Sequence, residues 1–128
     1  MNLCIDQGNS RTKIALFKKD GRIVKNLLYK SFTSADVERL FSLYPITQSI
    51  VSSVANMEPA VINALNRLSK KFVLFDHLTP LPIKNCYQTP ETLGHDRIAA
   101  AVGAAHLCPG QNLLIVDAGS AVTYDFVS

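Results

Sequence analysis

The sequence predicts an α/β fold: a mixed sheet flanked by helices over residues 1–110, followed over 111–128 by the first strands of a second, duplicated and incomplete domain. Three observations predict it. Short apolar runs alternate with segments of helical period in the order β-β-β-α-β-α-β, a meander and then strand–helix alternation that makes neighbouring strands parallel. Asn2-Leu3-Cys4-Ile5-Asp6-Gln7-Gly8-Asn9-Ser10 and Asn112-Leu113-Leu114-Ile115-Val116-Asp117-Ala118-Gly119-Ser120 share one grammar: an apolar run, an aspartate, a glycine turn, a hydroxyl. The second copy, with Asp125 following, reaches only its second strand, so the chain is expected to be the N-terminal portion of a longer protein.

Residues 2–6, 12–18 and 22–30 read as three consecutive strands, and Asp20-Gly21 between the last two signals a hairpin with a type I′ turn. Thr33-Ser34-Ala35-Asp36 offers a capping box, Val37, Leu40 and Phe41 follow at helical spacing, and Pro45 closes that helix. Residues 49–54 form a short strand. Asn56 is expected to cap the next helix, with Pro59 in its first turn and Val61, Leu65 and Leu68 on its inner face. Residues 71–75 are a further strand. From His77 to Tyr87 the chain is irregular, since Pro80 and Pro82 forbid regular structure. Residues 96–107 read as a helix rich in alanine, stopped by Pro109-Gly110, and Leu113 begins the second copy of the opening strand.

Composition narrows the function classes. The 128 residues are 48% hydrophobic, enough for one good core. The net charge is +3, but the 13 basic residues are scattered; Lys18-Lys19 and Lys70-Lys71 are pairs, not runs. Aromatic residues are not interleaved with Arg or Lys, so no nucleic-acid partner is expected. Cys4, Cys86 and Cys108 are odd in number and have no CxxC spacing, which argues against a disulfide framework and a structural zinc. The longest apolar stretch, Ile98 to Leu107, is too short to span a bilayer, and the N-terminus lacks a signal-peptide pattern. The expectation is a soluble, reduced, cytoplasmic protein with no membrane partner.

The paired segments suggest chemistry. In each, a strand carries a carboxylate to its end, a glycine lets backbone N–H groups approach an anion, and a hydroxyl can donate to it. Two such loops facing each other suit a polyphosphate and its metal. Asp6 can orient Mg²⁺ through water, because Mg²⁺ dehydrates reluctantly. Lys13 adds a point charge, or is simply an exposed strand lysine. Asp96 can accept a proton from an attacking alcohol, although Asp is favoured at a helix start in any case. Residue chemistry alone therefore reaches a two-loop phosphate-binding cleft with a carboxylate base. His77 and His106 have no partner at ligand spacing.

Three motifs together, Asp6-Gln7-Gly8-Asn9-Ser10-Arg11-Thr12-Lys13, Thr89-Pro90-Glu91-Thr92-Leu93-Gly94-His95-Asp96-Arg97 and Asp117-Ala118-Gly119-Ser120-Ala121-Val122-Thr123-Tyr124-Asp125, resemble the type III pantothenate kinase family. Each is weak alone; the set, in this order, is specific. Ser120 stands where the family usually has threonine, which keeps the hydroxyl. The resemblance implies an RNase H-like fold of the actin, Hsp70 and sugar-kinase superfamily, with the active site between two duplicated domains. It implies ATP-dependent phosphorylation of pantothenate at its primary hydroxyl, the first step towards coenzyme A. ATP would be bound by residues 6–13 and Ser120, with Mg²⁺ near Asp6 and a monovalent cation, K⁺ or NH₄⁺, at Asp117. Pantothenate would meet Tyr87, Gly94, His95, Asp96 and Arg97, with Asp96 as base and Arg97 gripping the carboxylate. The alternative for Tyr87 is a core tyrosine in an irregular loop.

The resemblance also implies a homodimer, and Ala99 to Ala105 offer a physical reason, since small side chains let two helices pack closely. The rival is packing of these alanines on the chain's own sheet. A rival function is a non-enzymatic nucleotide-binding regulator of the transcription-accessory type on the same fold. Such a regulator can lose the base while keeping the phosphate loops; Asp96 and Arg97 are both present. A phosphatase or sugar kinase of the superfamily is disfavoured by Gly94-His95-Asp96-Arg97.

Overall fold

The computed structural model describes residues 1–54, 57–118 and 121–128, so the expected cap Asn56 and the loop residues Gly119 and Ser120 lie outside the described residues. The chain divides into two compact units, 1–75 and 76–128. In this division residues 76–110 group with 111–128, where the sequence repeat placed them with the first domain.

The first unit is a five-stranded mixed sheet in the order β3-β2-β1-β4-β5. Strands β1 (Asn2–Gln7), β2 (Thr12–Phe17) and β3 (Ile23–Tyr29) form the antiparallel meander. Helix α1 (Ser34–Leu43) leads to β4 (Gln48–Ser53), and α2 (Pro59–Leu68) leads to β5 (Lys71–Leu74); both strands are parallel to β1. That is the expected consequence of helical crossovers, since a tight hairpin cannot return the chain to lie parallel to its predecessor.

Local chemistry explains most boundaries. The capping box at Thr33 forms: Asp36 Oδ2 accepts from the Thr33 N–H at 3.0 Å and from the Thr33 hydroxyl at 2.8 Å. Two expectations need correction. Helix α2 is capped by Glu58, not Asn56, because Pro59 takes its first position, where a missing N–H costs nothing. The β2–β3 turn is not type I′. That turn needs positive φ at both central residues, yet among the described residues no non-glycine has it, and Gly21 alone does, at φ +84°. The loop instead has three residues, 19–21. Lys18 N–H donates to the Arg22 carbonyl at 2.9 Å and Gly21 N–H to the Lys18 carbonyl at 3.1 Å. The extra residue lets glycine carry the left-handed conformation by itself, and the register slips between Leu16 and Phe17.

The core lies on one face of this sheet. Leu3, Ile5, Ile14, Leu16 and Val51 meet Val37 and Leu40 of α1 and Val61, Ala64 and Leu65 of α2. Each buried aliphatic side chain contributes about 1.5–3 kcal/mol relative to exposure. Arg67 of α2 pairs with Glu38 of α1 at the helix surface. The buried Ser49 hydroxyl is satisfied by Ser69 at 2.6 Å, and among the described residues no buried side-chain polar atom lacks a partner.

In the second unit, residues 76–89 contain no helix or strand, as the prolines require. A short 3₁₀ turn (Pro90–Thr92) precedes helix α3 (His95–Leu107), which packs against the antiparallel hairpin β6 (Leu113–Ala118) and β7 (Val122–Val127). The 3₁₀ turn was not foreseen; Thr92 N–H bonding to the Thr89 carbonyl at 2.9 Å makes it.

Leu65→Ala in the full-length protein should lower stability by about 2–5 kcal/mol, the range for leucine truncation in a packed core. The measurement is the urea midpoint by circular dichroism. An unchanged midpoint would mean that α2 does not anchor this core.

Candidate active site

The first unit carries one half of the candidate machinery. Strand alternation sends Leu3 and Ile5 into the core and Asp6 to the other face, where it is exposed. Lys13 stands directly opposite Asp6 on β2, and Ser52 opposite it on β4. Opposed side chains of an antiparallel pair such as Asp6 and Lys13 have Cβ atoms about 4.5–5.5 Å apart. A carboxylate, an ammonium and a hydroxyl are thus gathered at one end of three neighbouring strands. The loop beyond them exposes Asn9, Ser10 and Arg11.

Three of the nominated residues have other work. Gly8 has no positive φ, and its N–H donates to the Arg11 carbonyl at 3.0 Å, so it closes the loop and is not an open donor. Thr12 is 4% exposed, on the core face. Gln7 accepts a hydrogen bond from the Ser53 hydroxyl at 2.8 Å, while its carbonyl accepts from Val54 N–H at 3.1 Å, tying β1 to the end of β4. Asp6, Asn9, Ser10, Arg11 and Lys13 remain accessible to a ligand.

The second unit holds a groove of about 810 Å³, within the usual range for small-molecule sites, lined among others by Ile83, Tyr87, Arg97, Ala101, Asp125 and Phe126. Gly94 caps α3, and Asp96, exposed in its first turn, folds back so that its Oδ1 accepts the Arg97 N–H at 2.9 Å. A Cβ on Gly94 would lie 2.5 Å from that oxygen, so glycine here leaves the room the carboxylate occupies. Arg97 leaves the helix towards Tyr87, its guanidinium carbon 5.4 Å from the ring centroid. Tyr87 is itself set by an Asx turn, its N–H donating to Asn85 Oδ1 at 3.0 Å. His95 is half-buried at the start of α3.

Asp125 is the residue that sequence reasoning left out of the site. Its carboxylate takes two hydrogen bonds from Arg97, from Nε at 3.0 Å and from Nη2 at 2.7 Å. This holds the guanidinium pKa above its already high ordinary value, against the opposing effect of burial. The signal was present in the period of two: Asp117, Thr123 and Asp125 fall on one face of the β6–β7 hairpin, the face that meets α3. Asp117 itself is exposed at the end of β6. Ser120 lies outside the described residues.

Among the described residues no three His, Cys, Asp or Glu side chains cluster as a metal cage. Asp6 and Asp117 each present an exposed carboxylate at a strand end. Such hard single oxygen donors fit Mg²⁺ held through water and phosphate, or a loosely held monovalent cation, and do not suit a structural transition metal.

Burial raises the Cys4 thiol pKa, so less thiolate is present at any given pH. Cys86, exposed on the groove, should therefore react with iodoacetamide well before Cys4 at pH 8. Peptide mass mapping over time reads the order; faster alkylation of Cys4 would contradict its placement in β1.

Comparison with known proteins places the sequence. The family model described as type III pantothenate kinase matches residues 2–128. A type III pantothenate kinase of Phocaeicola vulgatus is 42% identical over 127 residues, covering 99% of this chain and 52% of that protein. One from Bacteroides fragilis is 41% identical over 128 residues, again 99% and 52%, and one from Christiangramia forsetii is 42% identical over 126 residues, 98% and 51%. The chain spans about half the length of the curated relatives it matches. With a family model matched across all but its first residue, the chain belongs to the type III pantothenate kinase family.

Proposed function

We propose that the protein to which this chain belongs transfers the γ-phosphoryl group of ATP to the primary hydroxyl of pantothenate, giving 4′-phosphopantothenate for coenzyme A synthesis. The observation that carries this reading is the acceptor side: Asp96 is exposed at the start of α3, and its neighbour Arg97 lines, with Tyr87, a groove of small-molecule size. The hydroxyl oxygen forms a bond to the γ-phosphorus as the bond to the β–γ bridging oxygen breaks. ADP leaves, and the hydroxyl proton passes to Asp96. Asn9, Ser10, Arg11 and Lys13 serve the nucleotide phosphates, and Ser120 does so from the second loop. Gln7, Gly8 and Thr12 shape the first loop. Asp6 holds Mg²⁺ through water and Asp117 a monovalent cation, K⁺ or NH₄⁺; bound there, these ions offset the charge of the phosphates. Gly94 and His95 line the acceptor side.

A duplicated RNase H-like architecture, with domains at 1–110 and from 111 onward, is part of the same proposal. Its support is a register match. Aligning Asp6 with Asp117 and Lys13 with Thr123 sets Leu3, Ile5, Ile14 and Leu16, at 0–3% exposure, against Leu114, Val116, Tyr124 and Phe126, at 53–67%. The face that α1 and α2 cover in the first copy is bare in the second, and an exposed apolar patch of this kind calls for a covering layer. A full-length structure in which β6 and β7 gain no helical cover on that face would refute the duplication.

A homodimer is also proposed. Ala100, Ala101, Ala104 and Ala105 are only half-buried along α3, and a side chain at Gly103 would meet nothing within 4 Å, so this helix has room for a close partner. A monomeric mass for the full-length protein in sedimentation would exclude it. A cytoplasmic location is proposed from the free cysteines; among the described residues no helix is long and apolar enough to cross a membrane. No observation favours the regulator reading.

In the full-length protein, Asp96→Asn should lower kcat by at least ~10²-fold, the scale of a general base, while ATP binding stays near normal. Mass-spectrometric detection of phosphopantothenate reads the rate. Near-normal turnover would remove Asp96 from the mechanism, and no product from the unmutated protein would refute the function.

Asp117→Asn should shift K⁺ activation to higher concentration, because removing a carboxylate charge weakens a hard-cation site. A K⁺ titration of rate compares the two proteins; coincident midpoints would contradict a cation role.

A further inference from the structure

We propose that Asp125 is a positioning residue that holds Arg97 so that one edge of its guanidinium is left to read the carboxylate of the acceptor, an inference that rests on the pantothenate kinase reading. The geometry is specific. A guanidinium offers two edges for a two-point grip, one formed by Nε with the nearer terminal nitrogen and one formed by the two terminal nitrogens. Asp125 occupies the first, through Nε at 3.0 Å and Nη2 at 2.7 Å. The second N–H of Nη2 and those of Nη1 are not used by that pair. Tyr87 stands beside the guanidinium as a second partner, its ring centroid 5.4 Å from the guanidinium carbon and its hydroxyl within reach of one remaining N–H, while its backbone N–H is held by Asn85. The two charged side chains are 24% and 18% exposed, so the pair is sheltered enough for its orientation to hold.

Charge supports the same assignment. Arg97 and Asp125 together are neutral, so a free carboxylate is recognised here by directed hydrogen bonds more than by net charge. Lys84, which also lines the groove, makes no hydrogen bond or ion pair among the described residues and supplies the compensating charge. Register explains why this aspartate serves. Asp125 sits opposite Ile115 on the hairpin face that packs on α3, while its neighbours Tyr124 and Phe126 point to the other face. Strand β7 therefore delivers a carboxylate to the one helix that begins with Asp96 and Arg97.

The test is steady-state kinetics of the full-length protein and its Asp125→Asn variant, with pantothenate and with the analogue in which the carboxylic acid is replaced by a primary alcohol. Asparagine keeps the shape but removes the charge and one acceptor. The expected result is a KM for pantothenate raised about tenfold, the scale of one charge-assisted hydrogen bond, with kcat within about threefold and KM for ATP unchanged. The kcat/KM preference for pantothenate over the alcohol should fall by the same factor. Equal losses on both substrates, or a loss confined to kcat, would overturn the assignment and make Asp125 a general support of the fold. Should Asp125→Asn fail to fold, Asp125→Glu keeps the charge but displaces the guanidinium by one methylene, and a preference reduced at least about threefold is expected; an unchanged preference overturns the proposal. If the unmutated protein phosphorylates neither substrate, the functional reading itself fails. If it phosphorylates both equally well, only the reading of the carboxylate by Arg97 fails.

Discussion

Burial of Leu3 and Ile5 on the helix side of β1 is the constraint from which the rest of the first unit follows. Strand β1 lies at the centre of the sheet, paired with β2 on one side and β4 on the other. Because side chains alternate, fixing Leu3 and Ile5 inside fixes Asp6 outside, at the strand's end. A slip of one residue would bury the carboxylate and expose the leucine. Several kilocalories per mole of apolar burial therefore hold the position of one polar group. Lys13 and Ser52 arrive beside Asp6 for the same reason, since Ile14 and Val51 commit their own strands to one register.

The second unit solves a similar problem with charge. A two-stranded hairpin is marginal by itself, and one helix against one face secures only half of it. Ile98 anchors α3 by burial. The bidentate pair between Arg97 and Asp125 then fixes the rotation of the helix start relative to β7. An exposed ion pair contributes little to stability, but a sheltered two-point pair carries orientation, and orientation is what a binding groove requires. Structure and candidate chemistry thus share the same residues. Asp96, Arg97 and Ile98 are consecutive, and they respectively face solvent, line the groove and lie buried beneath the helix.

Glycine has distinct roles across these loops. Gly21 and Gly110 take positive φ and end a strand and a helix connection that other residues would strain. Gly94 has ordinary backbone angles and instead makes room for the Asp96 carboxylate. Gly8, in the loop after β1, does neither; an added Cβ would meet the Arg11 carbonyl at 3.5 Å, an ordinary contact. The same residue type in different loops thus answers to different physical needs.

The sequence by itself determined the kind and order of nearly every secondary-structure element, because hydrophobic period, capping residues and proline act over a few residues and are written there. It also determined the family, through three motifs no one of which suffices, and it nominated Asp6, Lys13, Asp96, Arg97 and Asp117. It did not reveal that Thr12 is buried or that Gln7 is spent on Ser53, since both depend on which face of β1 and β2 meets the helices. Nor did it reveal the three-residue hairpin loop, because Asp20-Gly21 fits more than one turn until the register of β2 against β3 is fixed. Only the tertiary structure joined Arg97 to Asp125, 28 residues apart in the chain. That contact arises from packing α3 on β7, and a pairing between distant elements leaves no local pattern in a single sequence.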